Sequence, residues 1–200
     1  MNLSRWSYRP VFSAALALLM LQAAFAQEDM QALANAQCEF GALTVKPPEP
    51  WYSVPIDSAE PGIGGCQLMW EEGDQYLGII RLIAFENSVF DGIDVRWEDF
   101  AIAFEASIMA DMYIELGDVL WRDNELPISG EGFVNARAIA LEARISGVER
   151  ANEAHFVLFE GNGFNYVMSS LTPSEKTSPD VYKANIEAMG LLMRSLQPSQ

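Results

Sequence analysis

The stretch Ala154–Leu171, AHFVLFEGNGFNYVMSSL, decides the architecture, because it consists of two apolar runs joined by Gly161-Asn162-Gly163. Such a turn between strand-forming segments is a strong β-hairpin signal. We therefore expect strands at Ala154–Glu160 and Phe164–Leu171. Upstream, Phe133–Ser146 alternates apolar with polar side chains and predicts a further strand.

Two more strands are predicted towards the amino terminus. A glycine-rich turn at residues 62–65 precedes a strand at Cys66–Trp70, and a hairpin turn at Gly73-Asp74 leads into Tyr76–Phe85. The second strand is apolar on both faces, so both sides of the sheet need cover. The proline-rich stretch from Cys38 to Pro61 favours extended and turning chain over helix.

A long helix is predicted between these two groups of strands. Apolar residues recur every three or four positions through Trp97–Met112. Asp91 or Asp94 is the expected cap, and Gly117 is the expected end. A short strand at Val119–Arg122 and a turn at Pro127 follow.

A closing helix begins at Ser178-Pro179-Asp180, where a serine cap precedes proline at the first helical position. The order of elements predicts an α+β fold, with a mainly antiparallel sheet packed against a long central helix and a C-terminal helix. We expect one domain at residues 27–200. The apolar line of the closing helix comprises Val181, Ile186, Met189, Met193 and Leu196.

The amino terminus has the three parts of an export signal. Arg5 and Arg9 supply positive charge, Val11–Leu21 is an apolar core, and Ala24-Phe25-Ala26 is an A-x-A cleavage site. We expect residues 1–26 to be cleaved as a signal peptide, which places the product, soluble, in a bacterial periplasm or outside the cell. An uncleaved anchor is the alternative.

The segment after the predicted cleavage site bears on anchoring. Residues 28–37 form either a short helix or a loose leader. A lipoprotein-processing site needs a small residue just before its cysteine, and Gln37 precedes Cys38 instead. We therefore expect no lipid anchor and no membrane span after cleavage.

Composition narrows the classes of partner. The chain has a formal net charge of −16, and cleavage would remove two arginines but no acids. Strong negative charge repels phosphate backbones and anionic lipids, so nucleic-acid binding is not expected, whereas a basic partner is weakly favoured.

The two cysteines, Cys38 and Cys66, both lie in the exported part. An even count in an oxidising compartment suggests a disulfide, which would stabilise the fold by about 3–4 kcal/mol. Two separate buried thiols are the alternative.

Four features of the layout point to a known family: Trp51 after the prolines, Tyr76–Phe85, Gly161-Asn162-Gly163 and the helix end Met193-Arg194-Ser195-Leu196. Together they resemble the PsbP-like α/β/α sandwich, a superfamily that includes the photosystem protein PsbP and periplasmic DcrB-like proteins. The resemblance would cover Phe40 to Gln197. It implies an accessory or binding protein without a shared catalytic set. DcrB-like proteins are often lipid-anchored, and the missing processing site departs from that pattern.

Catalytic, cofactor and nucleotide motifs are not found. His155 is the single histidine, which favours a core or edge position over catalysis. The glycines at 62, 64 and 65 resemble the start of a nucleotide-binding loop. However, Gln67 occupies the position of its third glycine, and a predicted strand follows in place of a helix. We therefore expect no cofactor.

The strongest candidate for a functional cluster is a group of acidic residues at the start of the long helix. It would bind a hard cation, or it would only cap and solubilise the helix. Its members are Glu86, Asp91, Asp94, Glu98 and Asp99. The helix face opposite the apolar stripe is expected to carry Glu98, Asp99, Glu105, Asp111 and Glu115, either to dock a basic partner or for solubility alone.

Arg81, Arg137 and Arg144 lie in predicted strands, where we expect carboxylate partners or, alternatively, an anion pocket. The aromatic residues Trp51, Tyr52, Trp70, Trp97 and Trp121 are typical of a core, with an exposed Trp51 as a binding rim being the alternative. The preferred function is a non-enzymatic accessory or protein-binding domain. The rivals are a hydrolase without a recognisable motif and a small-ligand or cation carrier.

Overall fold

The computed structural model describes residues 38–41, 43–45, 47, 49, 51–56, 61–72, 75–92, 94–126, 132–195 and 197–198. The predicted signal peptide, the segment 28–37, the turn residues Gly73, Asp74 and Pro127, and Leu196 lie outside these ranges. Among the described residues, no helix is long and apolar enough to cross a membrane.

In chain order the elements are β1 (Cys38–Phe40), β2 (Leu43–Val45), β3 (Tyr52–Ile56), β4 (Ile63–Glu72), β5 (Gln75–Glu86), a 3₁₀ turn (Asn87–Phe90), α1 (Trp97–Asp111), β6 (Ile114–Asp123), β7 (Phe133–Ile145), β8 (Asn152–Gly161), β9 (Phe164–Pro173), α2 (Pro179–Ser195) and β10 (Gln197–Pro198).

The main sheet has seven strands, in the order β3-β4-β5-β9-β8-β7-β6, and every neighbouring pair is antiparallel. The predicted hairpin between β8 and β9 is confirmed: Gly161 pairs with Phe164, and Asn162 and Gly163 both have positive φ. The β4–β5 hairpin is confirmed by the pairing of Glu72 with Gln75. Strands β1, β2 and β10 form a separate small sheet.

One helix covers each face of the main sheet. Apolar residues of α1, including Phe100 and Phe104, pack with Ile83, Phe85 and Phe156 on the face that we call the α1 face. Met189 and Leu192 of α2 pack on the opposite α2 face, against a core that includes Leu82, Phe159, Tyr166 and Met168. The predicted α+β fold is confirmed, and the cover on both faces explains why β5 carries apolar residues on both faces.

Both predicted ends of the long helix are wrong. Arg96 occupies the N-cap position without a side-chain cap bond, so neither predicted aspartate caps the helix. At the other end the helix stops at Asp111, and Tyr113 adopts a φ of 59° that turns the chain into β6. Gly117, the expected terminator, lies inside that strand, as does Glu115.

One prediction of exposure is also wrong. Glu105 was expected on the solvent face of the helix, but its side chain is 0 % exposed. It shares the buried stripe of α1 with Ala101 and Met109, which are four positions away on either side. Trp51 is 4 % exposed and packs in the α2-face core, so its predicted core position is confirmed and the alternative of an exposed binding rim is wrong.

Candidate functional site

A buried ion pair joins α1 to the middle of the sheet. Arg81 of β5 places Nη2 2.8 Å from Glu105 Oε2, and Arg81 Nε donates to the same oxygen at 3.0 Å. The Ser169 hydroxyl of β9 also donates to it, at 2.8 Å. Arg81 therefore has the carboxylate partner that its apolar surroundings predicted. A small cavity beside the pair is lined mainly by apolar residues, namely Ile79, Met109, Met112, Ile114 and Leu171.

A second cluster fixes the start of α1 to the sheet. Arg137 of β7 forms ion pairs with Glu98 and with Glu160, the latter at 3.8 Å, and its guanidinium lies 5.8 Å from the centre of the Trp97 ring. Trp97 Nε1 donates to Glu160 Oε1 at 3.1 Å. The remaining arginine of the predicted set, Arg144, is exposed and pairs with Glu142. The three arginines thus bind carboxylates separately.

The five acids predicted as one cluster differ in their contacts, because Glu98 and Glu86 have partners within the protein. Burial alone would raise the pKa of Glu98, but its own backbone amide and the charges of Arg96 and Arg137 lower it. Glu98 thus points inwards, and Glu86 accepts a hydrogen bond from Ser88. The other three acids are exposed and form no ion pair with a described residue, and we call them the acidic end: Asp91, Asp94 and Asp99. Among the described residues, no three His, Cys, Asp or Glu side chains converge as metal ligands.

His155 lies on the α2 face of β8, as a core histidine. It is 3 % exposed, and burial lowers its pKa to about 4. Its Nε2 is 3.2 Å from Glu153 Oε2, so the neutral ring donates to the carboxylate. Two aromatic rings contact the imidazole: Trp121 of β6, at 5.6 Å between centroids, and Tyr182 of α2, at 5.7 Å.

The carboxylates near His155 give this region a negative potential. Burial and the charge of Glu175 raise the pKa of Glu153, against the opposing effects of the Glu175 backbone amide and of Lys176. Burial and the charges of Glu153 and Glu175 raise the pKa of the Tyr182 hydroxyl. The two carboxylates, the phenol and the imidazole therefore form one cluster.

Sequence reasoning treated His155 and Trp121 separately and missed Tyr182. The missing signal was structural: β6 has a register irregularity between Val119 and Trp121, which sets Trp121 opposite Ala140. Ala140 in turn pairs with His155 in the next strand. A period of two along β6 does not predict this placement, because a bulge shifts the alternation by one residue.

Cys66 is buried in β4, at 1 % exposure, and it is not a free thiol. Strand β1, which contains Cys38, lies against β4. The Cys38 side chain lies outside the described part of the structure.

Comparisons with known proteins give similar structures at low sequence identity. The chain is similar to a protein of Bacteroides thetaiotaomicron, with a TM-score of 0.41, 10 % identity, 83 % of this chain covered and 49 % of the other, so it spans about half of that chain. It is similar to the PsbP of the cyanobacterium Synechocystis, with a TM-score of 0.42, 16 % identity and coverage of 78 % and 91 %.

A third similar structure is LpqN of Mycobacterium tuberculosis, which is described as involved in cell envelope biogenesis, with a TM-score of 0.40, 11 % identity and coverage of 89 % and 99 %. The resemblance to PsbP predicted from the sequence is thus found again among solved structures. No family model and no curated protein matches the chain.

Proposed function

We propose that the chain is an exported, non-enzymatic accessory domain that binds a basic protein partner through the acidic end. The observation that carries this proposal is the state of Asp91, Asp94 and Asp99, which are exposed and form no ion pair with a described residue. Complementary charge speeds encounter and selects partners.

Two features favour the acidic end over a merely solvated surface. The contacts of Arg137 with Glu98 and of Trp97 with Glu160 hold the first turn of α1 on the sheet, so Asp99 is presented on a rigid support. Val95 is 50 % exposed within the same segment and offers an apolar contact amid the charges. An apolar centre with a charged rim is typical of protein interfaces.

Export is the second part of the proposal. It rests on the signal at residues 1–26, with cleavage after Ala26, and it makes a Cys38–Cys66 bridge expected. The finding that Cys66 is not a free thiol supports that bridge. Amino-terminal sequencing of the protein recovered from the periplasm tests export, and Gln27 is the expected first residue. A product that starts at Met1 in the cytoplasm would contradict it.

The partner is tested by cross-linking capture from envelope extract. The variant is Asp91→Asn/Asp94→Asn/Asp99→Asn, and the matched control neutralises three exposed acids elsewhere, Glu115→Gln/Asp118→Asn/Glu149→Gln. We expect wild type and control to retain one basic protein stoichiometrically, and the variant to lose it. Equal retention by the variant, or no such partner, would refute the proposal.

A further inference from the structure

The surface beside His155 carries a large aromatic side chain that is exposed to solvent and so has no role in the core. Trp121 is 42 % exposed on the edge strand β6 and contacts the buried imidazole with its ring. Tyr182 contacts the same imidazole from α2 and is only partly buried. Trp121 and Tyr182 thus lie against the same imidazole, and both have surface that solvent can reach.

The negative charge beside these two rings is only partly balanced: Lys176 lowers the pKa of Glu153, but it forms no ion pair with that carboxylate. Within the described residues, the only ion-pair geometry of the Glu153 carboxylate is with His155. The neutral imidazole does not balance that charge at pH 7, because its pKa is about 4. Glu175 adds a second carboxylate close enough to affect both Glu153 and Tyr182. A partly buried carboxylate with a like charge nearby is stabilised when a cation joins it.

A third observation comes from β9. Ser170 is paired with His155 in the strand ladder and therefore lies beside it on the α2 face. Its hydroxyl is buried, with the residue 1 % exposed, and makes no hydrogen bond with any described group. Buried polar groups are nearly always hydrogen-bonded, so this one points to a missing partner.

We propose that the cluster of Trp121, Tyr182, His155, Glu153 and Glu175 is a binding site for an organic cation, either a quaternary ammonium or a guanidinium group. The faces of Trp and Tyr rings attract such cations, and more strongly where water is excluded. The carboxylates supply the opposite charge, and the buried His155 lies behind the two rings. The site does not rest on the acidic end, because it lies on the α2 face and the acidic end flanks the helix of the α1 face.

The chain provides its own reporter for this site. His155 is the only histidine, so a single imidazole signal appears in the NMR spectrum. We would titrate the protein with choline, with its neutral analogue 3,3-dimethylbutan-1-ol, with arginine amide and with an arginine-containing peptide. Saturable shifts of the imidazole signal with the cations, and none with the neutral analogue, are expected.

Variants assign the contacts. Trp121→Leu and Tyr182→Leu should each raise the dissociation constant for choline about five-fold to thirty-fold, while Trp121→Phe should restore much of the affinity. Glu153→Gln should weaken binding several-fold, and Asp94→Asn on the other face should leave it unchanged. Thermal unfolding checks that each variant is folded.

The ligands separate the sources of the cation. Tighter binding of the peptide than of arginine amide indicates a side chain of a protein partner, whereas tighter binding of choline indicates a free small cation. Three outcomes would overturn the site. The imidazole signal would shift equally with choline and its neutral analogue, or it would show no saturable shift at cation concentrations up to tens of millimolar. The third outcome is an unchanged affinity for choline in folded Trp121→Leu. Loss of partner capture by the acidic-end variant, with choline binding intact, would separate the two proposals.

Discussion

Arg81 and Glu105 form an ion pair between the interior strand β5 and helix α1, with 2.8 Å between Arg81 Nη2 and Glu105 Oε2 and side chains that are 6 % and 0 % exposed. The same carboxylate oxygen accepts a hydrogen bond from Ser169. A charge buried this deeply is tolerated only with a partner. The pair therefore determines which turn of α1 faces which position of the sheet.

Removing one member of this pair should be strongly destabilising. Glu105→Gln leaves the Arg81 guanidinium buried without an opposite charge, and the expected loss is about 3–5 kcal/mol in the free energy of unfolding. Chemical denaturation followed by circular dichroism measures this loss. Glu142→Gln, which breaks the exposed pair with Arg144, is the matched control and should cost less than about 1 kcal/mol.

A double variant separates the charge from the packing. In Arg81→Met/Glu105→Leu both buried charges are replaced by apolar groups, so we expect part of the lost stability to return. The buried Ser169 hydroxyl then lacks its acceptor, which should still cost about 1–3 kcal/mol. If Glu105→Gln is as stable as the control variant, or if the double variant is less stable than Glu105→Gln, the pair does not have the role given to it.

The Arg81–Glu105 pair also shows what the sequence allowed and what it did not. An isolated arginine in the apolar strand Tyr76–Phe85 predicted a carboxylate partner, but the partner was not identified. Glu105 stands four residues from both Ala101 and Met109 and so belongs to the buried stripe by spacing. Each of the two charged residues lies in an apolar pattern, and pairing Arg81 with Glu105 on that ground would have predicted the contact. The prediction that Glu105 is exposed to solvent considered only that the residue is charged.

Local turn chemistry was more informative than helix boundaries. The β8–β9 hairpin follows from Gly161-Asn162-Gly163, because these residues readily adopt positive φ. The end of α1 has no such signal, since the residue with positive φ is Tyr113. The position of Trp121 was likewise hidden, because a bulge in β6 determines it. Tertiary pairing, which a single sequence does not encode locally, fixed both features.

Gly78 should not tolerate a methyl group. It lies in β5 under α2, where an added Cβ would overlap with Asn185 Oδ1 and with the Trp51 ring. Both neighbours are buried, so relief requires α2 to shift. We expect Gly78→Ala to destabilise the protein by about 1–3 kcal/mol, measured by denaturant unfolding.

Gly64 provides the control for this prediction. It lies in the neighbouring strand β4, and a Cβ added there meets no atom within 4 Å. Gly64→Ala should therefore leave stability unchanged within about 0.5 kcal/mol. Equal stability of the two variants would show that the space above Gly78 is larger than the structure has it.

The proposed Cys38–Cys66 bridge predicts a response to reduction. The intact protein should have the mass of two fewer hydrogens than the reduced chain. Reductant should lower the free energy of unfolding by about 3–4 kcal/mol, because the unfolded chain regains the freedom of a long loop. Cys38→Ser should be insensitive to reductant. An unchanged melting temperature of wild type under reduction would contradict the bridge.

His155 predicts how stability varies with pH. Folded His155 has a pKa of about 4, whereas the unfolded histidine titrates near 6.5. Between these values the unfolded chain binds more protons, so acidification should lower the free energy of unfolding, by at most about 3 kcal/mol. Glu153 acts in the opposite sense, because its raised pKa lets the folded state bind a proton first.

The comparison of wild type with His155→Phe isolates the histidine, since both proteins retain Glu153, Glu175, Lys176 and Tyr182. Denaturation at several pH values should show a steeper loss of stability for wild type between pH 6.5 and about 4. NMR titration of the single imidazole measures the same quantity directly. A midpoint near 6.5 in the folded protein, with parallel stability curves, would mean that His155 is hydrated and not held between Trp121 and α2.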